Sequence, residues 1–273
     1  YQKEPISELA AWARRLAVFS LVATLVSILV VRFGFLDFKP AMATFFGALA
    51  CAGLSILVGL AAFAAIWQNG SRGMSRILVA MLLDILILAY PAYLTYQYKK
   101  LPAIHDVTTD PIDPPRFDAL ARLRTVDGVN SPVYAGLYSA ELQRAAYPDI
   151  EPISLDVSSQ KAYDVTLHLT ARRRWLISAG RPPLPPQRIG RMEAVARTPI
   201  MGFREDVSIR IVPFGDGSRV DIRSSSRYFE HDLGSNAARI TKLTDDLNEV
   251  IDNAKPEKTL LAPAKPQAKG IKR

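Results

Sequence analysis

The chain has 273 residues, which is long enough for two domains or for a membrane part and one domain. Its formal net charge of +8 suggests nucleic acid as a partner at first sight. However, residues 1–100 carry +5, residues 101–252 carry −2 and residues 253–273 carry +5. A nucleic-acid-binding domain needs its basic charge on a folded surface, so this distribution argues against that class. The single cysteine, Cys51, excludes a disulfide within one chain and a cysteine-based zinc site.

Three apolar stretches dominate the first hundred residues, at 16–36, 41–67 and 77–98. Each has about the twenty residues that a helix needs to cross a hydrocarbon core of about 30 Å. A signal peptide is the alternative for the first stretch, but two more spans follow it and no small-residue cleavage site ends it. The sequence therefore predicts a membrane domain of three transmembrane helices over residues 1–100.

The Lys and Arg residues that flank the spans indicate an orientation. The N-terminal side carries Lys3, Arg14, Arg15, Arg72 and Arg76, and the opposite side carries Arg32, Lys39, Lys99 and Lys100. This difference of one residue favours an N-terminus in the cytoplasm and a C-terminal part on the outside.

Asp84 lies within the third span. An ionisable residue in a membrane costs several kcal/mol unless it is paired, so it is a functional hypothesis by default. A proton relay has little support, because the spans contain no second acid. The alternative is a carboxyl group that faces the helix bundle and bonds to a hydroxyl, for which the candidates are Ser20, Thr24, Ser27 and Ser55.

Residues 101–152 read as a proline-rich linker and helical segment, with helices predicted at 116–126 and 132–147. The acidic and histidine residues of the linker resemble a metal set, but a segment broken by prolines holds no fixed ligand spacing. The residues concerned are His105, Asp106, Asp110 and Asp113. We expect these side chains to cap turns, and no metal or cofactor is predicted.

Residues 153–252 form the predicted soluble domain, and the Lys-, Ala- and Pro-rich tail at 253–273 is predicted to be disordered. The stretch 159–173 alternates like a strand in part, but its serine N-cap and apolar spacing favour a helix. The predicted strands are 174–179, 188–198, 205–212 and 218–229, and a final amphipathic helix begins at Ser235 or Asn236. The fold class is therefore α+β, with an antiparallel sheet of about four strands packed by helices.

The turn sequence PFGDG joins the last two strands, and the alternation of their side chains fixes the parity of the pairing. If Ile211 pairs with Val220, then Asp206 lies diagonally between Arg223 and Arg227. The polar face then consists of Arg204, Asp206, Arg210, Arg219, Asp221, Arg223 and Arg227. Such a face fits either a solvated side of the sheet or a binding surface for an anionic or carboxylate group.

Three motifs in order, GFREDVSIRI at 202–211, VDIRSSSR at 220–227 and DLGSNAARI at 232–240, resemble the family called domain of unknown function 1499. The stretches IHDVTTDPIDPP and YPDI also resemble it, so that the likeness runs from about residue 104 to 251. The membrane spans lie outside this likeness but are similar to those of membrane-anchored bacterial members. Together with the flanking Lys and Arg residues, this leads us to expect a protein of the bacterial inner membrane with its C-terminal domain in the periplasm. The resemblance implies the site residues Gly202, Phe203, Asp206, Arg223, Ser224, Ser226, Arg227, Asp232, Gly234, Asn236 and Arg239.

Three functions compete for these residues. The first is a binding or assembly-accessory role without a catalytic residue, with membrane lipid and a protein in or at the membrane as partners. The second is a hydrolase with a triad of Ser225, His231 and Asp232. The base and the orienting acid of that triad would be adjacent in sequence, which gives poor geometry for catalysis. The third is a module that binds a lipid or small amphiphile between a helix and a curved sheet, and only the order of elements supports it.

Overall fold

The computed structural model describes residues 6–124 and 128–254. Its first part consists of three long helices, α1 (Glu8–Phe33), α2 (Phe38–Asn69) and α3 (Met74–Lys100). All three are long and apolar enough to cross a membrane, with a mean hydropathy of 2.4, 2.4 and 2.2 in their most apolar windows. The three predicted spans are confirmed.

Small residues form the seam between these helices. The buried positions of α1 are spaced three or four apart, as one face of a helix requires, and they are Ala10, Ala13, Ala17, Ser20, Thr24 and Ser27. On α2, a Cβ atom added to Gly59 would lie 2.7 Å from the Cε atom of Met81 on α3. Small side chains allow such close approach, and the close packing holds helices together where no hydrophobic force between them exists.

The second part is an α+β domain built on one six-stranded antiparallel sheet. The strands are β1 (Asp106–Thr108), β2 (Ile153–Leu155), β3 (Leu176–Arg181), β4 (Gly190–Arg197), β5 (Arg204–Phe214) and β6 (Gly217–Ser226). The helices are α4 (Leu137–Ala146), α5 (Ser159–Arg172) and α6 (Ser235–Ala254), with a short 3-10 helix at Leu120–Leu123. Strands β3, β4, β5 and β6 are neighbours in that order, and both β1 and β2 pair with the other edge of β6.

The predicted fold class is confirmed, although the sheet has two more strands than expected. The helix at 159–173 is confirmed, and the Ser158 hydroxyl caps it by accepting from the backbone N–H of Lys161. The helix predicted at 116–126 is wrong in extent, because the described part of that stretch forms only the 3-10 helix. The predicted disordered tail lies almost entirely outside the described residues.

The predicted register of the last hairpin is confirmed, with Ile211 opposite Val220 and Asp206 opposite Ser225. Because side chains alternate along a strand, each strand sends one set to an inner face and the other to an outer face. On the inner face, α5 and α6 cover the sheet, and the space between them and the sheet is filled by apolar side chains. The largest fully buried ones include Leu169, Ile209, Ile211, Ile222, Ile240, Leu243 and Leu247.

Candidate functional site

The polar outer face of the sheet is covered by chain rather than solvated. Residues 109–124 cross it, and Phe117 and Leu120 pack against Val195 of β4. The charged side chains that this cover buries are Asp206, Asp221, Arg223 and Arg227. The expectation of a solvated face is therefore wrong for the centre of this face.

Asp206 is the hub of the buried centre. Its two carboxylate oxygens accept from two different arginines, Arg124 Nε at 2.7 Å and Arg227 Nη2 at 2.8 Å. The guanidinium group of Arg124 also donates to the hydroxyl and carbonyl oxygens of Ser225, at 3.2 and 3.0 Å. The predicted contact of Asp206 with Arg227 is confirmed, but the predicted contact with Arg223 is wrong.

Arg223 instead binds Asp106 of β1, with Nη2 at 2.6 Å from Oδ2. Two proline carbonyls accept from the same guanidinium group, and the rings of Phe117 and Tyr134 lie 4.6 and 5.6 Å from it. Burial, with the nearby Asp106 charge, raises the pKa of Tyr134 to about 12. These bonds and ring contacts compensate the buried charge of Arg223 within the protein.

A second ionic group lies further along the same face. Arg210 contacts Asp110, Asp113 and Asp221 at 3.1, 2.6 and 2.8 Å, and Arg219 contacts Asp110 and Asp221 at 2.6 and 2.9 Å. Burial alone lowers the pKa of Arg210, but the bonds to Asp221 and Asp113 raise it above its ordinary value. This group ties the linker to the ends of β5 and β6.

The four residues that resembled a metal set are therefore used in other ways. Asp106 and both later aspartates bind arginines, and Asp110 also accepts from the backbone N–H groups of Ile112 and Asp113, as the predicted turn cap requires. His105 is half-buried, and burial lowers its pKa below the usual value. Among the described residues, no group of three His, Cys, Asp or Glu side chains could hold a metal ion.

A third polar cluster lies on the inner face, under the start of α6. The Ser226 hydroxyl donates to Glu205 at 2.9 Å, and the Asn236 amide donates to Ser226 at 2.9 Å. Arg239 forms an ion pair with Glu205 and donates to the Ser224 hydroxyl at 2.8 Å. Four of the predicted site residues thus meet here around Glu205, on the opposite side of the sheet from Arg223 and Arg227.

Asp232 and Gly234 form the turn into α6, as predicted. The carboxylate of Asp232 accepts from the backbone N–H groups of Gly234 and Asn236 at 2.9 and 3.0 Å, so it caps the helix. Burial raises the pKa of Asp232, and these backbone bonds act in the opposite direction. Gly234 has φ +82°, a conformation that glycine adopts without cost.

The residues of the hypothetical hydrolase triad have separate partners. Ser225 bonds to Arg124, and Asp232 caps α6. His231 accepts at Nδ1 from the Leu233 backbone N–H at 3.0 Å, so its Nε2–H donates to the Leu101 carbonyl at 3.1 Å. Each side chain therefore fixes local structure, and the three do not form a nucleophile, a base and an orienting acid.

Phe203 belongs to the junction between the domain and the membrane helices. Its ring contacts Phe38 at the start of α2, with 5.7 Å between centroids, and Phe38 stacks on Tyr228 at 4.2 Å. Phe229 completes the aromatic cluster, at 5.1 Å from Phe38. Aromatic pairs at these distances add about 0.5–1.5 kcal/mol each beyond their buried area.

Gly202 allows the backbone at this junction to come close to α1. It has φ +72°, and an added Cβ would lie 2.9 Å from Cγ of Arg32 and 3.3 Å from its Cα. Arg32 in turn donates to the Pro199 carbonyl at 2.8 Å. The first motif of the family resemblance thus docks the domain on the ends of the helices.

Asp84 faces the helix bundle, as predicted, and it is fully buried. Ser55 lies close to it, but the Ser55 hydroxyl donates to the Ala13 carbonyl at 3.0 Å. Neither carboxylate oxygen of Asp84 has a hydrogen-bond partner among the described residues. The predicted hydroxyl partner is not formed.

A further group of arginines lies on the outer face across strands β3, β4 and β5, and the sequence did not predict this group. Arg191 of β4 lies directly opposite Arg181 of β3 on one side and Arg210 of β5 on the other. Residues directly opposite in an antiparallel pair share a face, so the three arginines form a row, which we call the arginine row. A cleft of about 820 Å³ lies over this row, and Arg116 and Arg122 line it from the covering segment.

The predicted site residues therefore do not form one site. They divide among the buried ionic centre, the inner-face cluster, the turn into α6 and the junction. Sequence reasoning missed Arg124, Asp106 and Glu205 as partners, together with the arginine row. The row had a partial signal, because alternation along β4 puts Arg191 on the face opposite to Met192 and Ala194, but the pairing of Arg191 with Arg181 and Arg210 needed the structure.

A bundle of three apolar helices with an α+β domain docked at one end defines a membrane-anchored protein with one folded domain. A family model described as a protein of unknown function (DUF1499) matches residues 106–247, and the chain belongs to this family. The match confirms the resemblance seen in the three motifs. No curated protein matches the chain.

Proposed function

We propose that this protein is a membrane-anchored, periplasm-facing binding protein without a catalytic role, which holds an acidic segment of a partner protein as an assembly accessory. The observation that carries this proposal is the arginine row. Like charges directly opposite in a sheet are destabilising, so such a row needs a compensating partner. Arg210 has its three aspartates, whereas Arg181 and Arg191 form no ion pair within the described part of the chain.

The cleft over the row offers four guanidinium groups to a ligand: those of Arg116, Arg122, Arg181 and Arg191. All four residues are exposed. The lining also contains three carboxylates, of which Asp113 binds Arg210 and Glu193 accepts from the backbone N–H groups of residues 118–120 at 2.8–3.1 Å. With five arginines against Asp113, Asp118 and Glu193, the lining keeps a positive excess. Arginine binds carboxylates through two parallel hydrogen bonds, so the cleft suits an acidic ligand.

The edge of the sheet favours an extended protein segment as that ligand. Strand β3 pairs only with β4 among the described strands, so its other edge presents free backbone groups next to the cleft. An exposed edge strand is a template for adding a further strand. A partner segment could thus gain backbone hydrogen bonds from β3 and salt bridges from the arginine row.

The periplasmic orientation rests on the flanking Lys and Arg residues and remains part of the proposal. A bacterial inner membrane agrees with the family likeness. The absence of a catalytic role is supported by the use of Ser225, His231 and Asp232 in local structure. An esterase or glycosidase activity that disappears in His231→Ala would contradict this part of the proposal.

Site-specific photocrosslinking tests the binding role. A photoreactive amino acid replaces Gln187, which is exposed and lines the cleft, in the full-length protein in native membranes. We expect a discrete crosslinked product that is lost in the Arg181→Gln/Arg191→Gln double variant. It should also weaken at high salt, because exposed charges are screened.

The matched control is Arg144→Gln/Lys242→Gln, which removes two exposed positive charges from α4 and α6. This control should leave the crosslinked product unchanged. Equal loss in both double variants would show a nonspecific charge effect, and no loss in the cleft variant would show that the arginine row is not the binding site.

A further inference from the structure

The opposite end of strand β4 has a second unpaired group of arginines. Arg197 lies directly opposite Arg204 of β5, again as a like-charge pair across two strands. Arg32 at the end of α1 lies beside them, since Arg197 donates through Nη1 to the Arg32 carbonyl at 2.6 Å. These three side chains line a pocket of about 200 Å³ between the domain and the membrane helices.

The charge of this pocket is not balanced within the protein. Asp37 is the acidic residue in its lining, and none of the three arginines forms an ion pair in the described residues. The arginines a few positions away in the buried centre, Arg124 and Arg227, are fully paired with Asp206. An anion in the pocket would remove the repulsion between Arg197 and Arg204.

The position of the pocket indicates where that anion comes from. At about 1.5 Å per residue, the 26 residues of α1 span about 39 Å, which exceeds a hydrocarbon core of about 30 Å and places its end in the headgroup region. Phe33 and Phe35, next to the pocket, are 66% and 75% exposed, as expected for side chains that contact lipid. Phe38 and Tyr228 add aromatic walls at the same level.

We propose that this junction pocket binds the phosphate of an anionic membrane phospholipid, with the acyl chains lying along the exposed phenylalanines. The planar guanidinium group of arginine donates two parallel hydrogen bonds to phosphate oxygens and carries the opposite charge. Arg32 belongs to the membrane anchor, whereas Arg197 and Arg204 belong to the soluble domain. One phosphate in contact with all three therefore fixes the domain against the helix ends, and the orientation of the domain depends on the lipid headgroup.

Native mass spectrometry of the full-length protein, released from nanodiscs of phosphatidylcholine and phosphatidylglycerol, tests this inference. We expect retained phosphatidylglycerol in the wild-type protein and about a tenfold or greater loss of affinity in Arg197→Gln/Arg204→Gln, because charged hydrogen bonds are lost. The control is Arg14→Gln/Arg15→Gln, at the other end of α1, which should stay within about twofold of wild type because it leaves the pocket intact.

Each remaining outcome overturns the proposal. Equal retention of phosphatidylcholine would show that the headgroup charge is not recognised. Equal loss in the two double variants would show that phosphatidylglycerol binds only as a general counterion. Complete displacement by a large excess of inorganic phosphate would identify a site for free phosphate, with no requirement for a lipid.

Single variants keep the test independent of folding. Arg204→Gln removes an exposed side chain for which the structure shows no side-chain hydrogen bond, so the domain should fold normally. This variant should still reduce lipid retention relative to Arg14→Gln. Unchanged retention in a folded Arg204→Gln protein would contradict the proposed contact with Arg204.

Discussion

The outer face of the sheet contains two kinds of region with the same residue type. At its centre, Arg124, Arg223 and Arg227 are buried, and each one bonds to an aspartate. At the two ends of β4, the arginines Arg191 and Arg197 face other arginines and form no ion pair in the described structure. The centre and the ends therefore differ in pairing and burial but share the face of the sheet and the residue type.

This difference separates stability from binding. A buried charge that is fully paired holds the structure together, because removing its partner leaves an uncompensated charge in a medium of low dielectric constant. An exposed like-charge pair contributes nothing to the fold and even opposes it. We therefore expect substitutions at the centre to affect stability, and substitutions at the ends to affect binding.

Asp206→Ala should have the largest effect, because it leaves Arg124 and Arg227 buried without a partner. Breaking a buried ion pair from one side costs about 3–5 kcal/mol, a large fraction of the stability of an ordinary domain. We expect the soluble domain to unfold or to lose most of its free energy of unfolding, as measured by calorimetry of the full-length protein in detergent.

Asp216→Ala is the control, since Asp216 lies exposed in the turn between β5 and β6. It should change the free energy of unfolding by no more than about 0.5 kcal/mol. If Asp206→Ala had an equally small effect, the buried centre would not be the stabilising region of this face.

The sequence predicted the sheet well because strands obey a local rule. Alternation of side chains and the turn PFGDG were enough to set Ile211 opposite Val220, and the shared inner face of Ile209, Ile211, Val220 and Ile222 follows from that register. The strands β1 and β2 were missed because three residues are too few for a period to show.

The site was harder to predict because its partners are distant in sequence. Asp106 and Arg223 are 117 positions apart, and Arg124 and Asp206 are 82 apart, so no local pattern relates them. The covering segment is proline-rich, and the pattern that predicted a helix at 116–126 does not show that this segment lies across the sheet. Without that cover, a buried ionic centre looks like a solvated face.

Gly202→Ala should have a smaller effect than Asp206→Ala and tests the junction end. An alanine in this left-handed backbone conformation costs about 1–2 kcal/mol. Its Cβ atom would also collide with the side chain of Arg32. We expect lower stability and faster amide hydrogen exchange at residues 198–204, because the domain loses its close contact with α1.

Gly215→Ala at the distal end separates strain from contact. Gly215 has φ +55°, but no atom lies within 4 Å of an added Cβ. The free energy of unfolding of Gly215→Ala should fall by the backbone strain alone, and amide hydrogen exchange at residues 198–204 should stay unchanged. The docking role of Gly202 would be wrong if both variants affected that segment equally.

Two neighbours in the arginine row should respond in opposite directions. Arg210→Gln removes bonds to three aspartates and leaves the buried Asp221 with Arg219, so we expect a loss of about 1–3 kcal/mol. Arg191→Gln removes only repulsion and should leave stability unchanged or raise it by about 0.2–1 kcal/mol. Chemical denaturation of both variants checks this contrast, and a large loss in Arg191→Gln would show that this residue is structural.

The smallest expected effect concerns His105, which is half-buried beside the buried centre and tests whether burial lowers its pKa. Burial lowers its pKa, and the charges of Arg124 and Arg223 lower it further, against Asp106 and Glu230. Its folded pKa therefore lies below the unfolded value of 6.5, so the unfolded state binds the proton first as the pH falls.

The contribution of His105 to stability is complete above the unfolded pKa and is lost as the pH falls through the folded pKa. Between about pH 7.5 and pH 5.5, the melting temperature of the wild-type protein should fall more than that of His105→Asn. Asp232 acts in the opposite direction in both proteins, because its pKa is raised, so the difference between them isolates His105. Parallel pH profiles would mean that neither burial nor the nearby arginines lower the pKa of His105 in the folded protein.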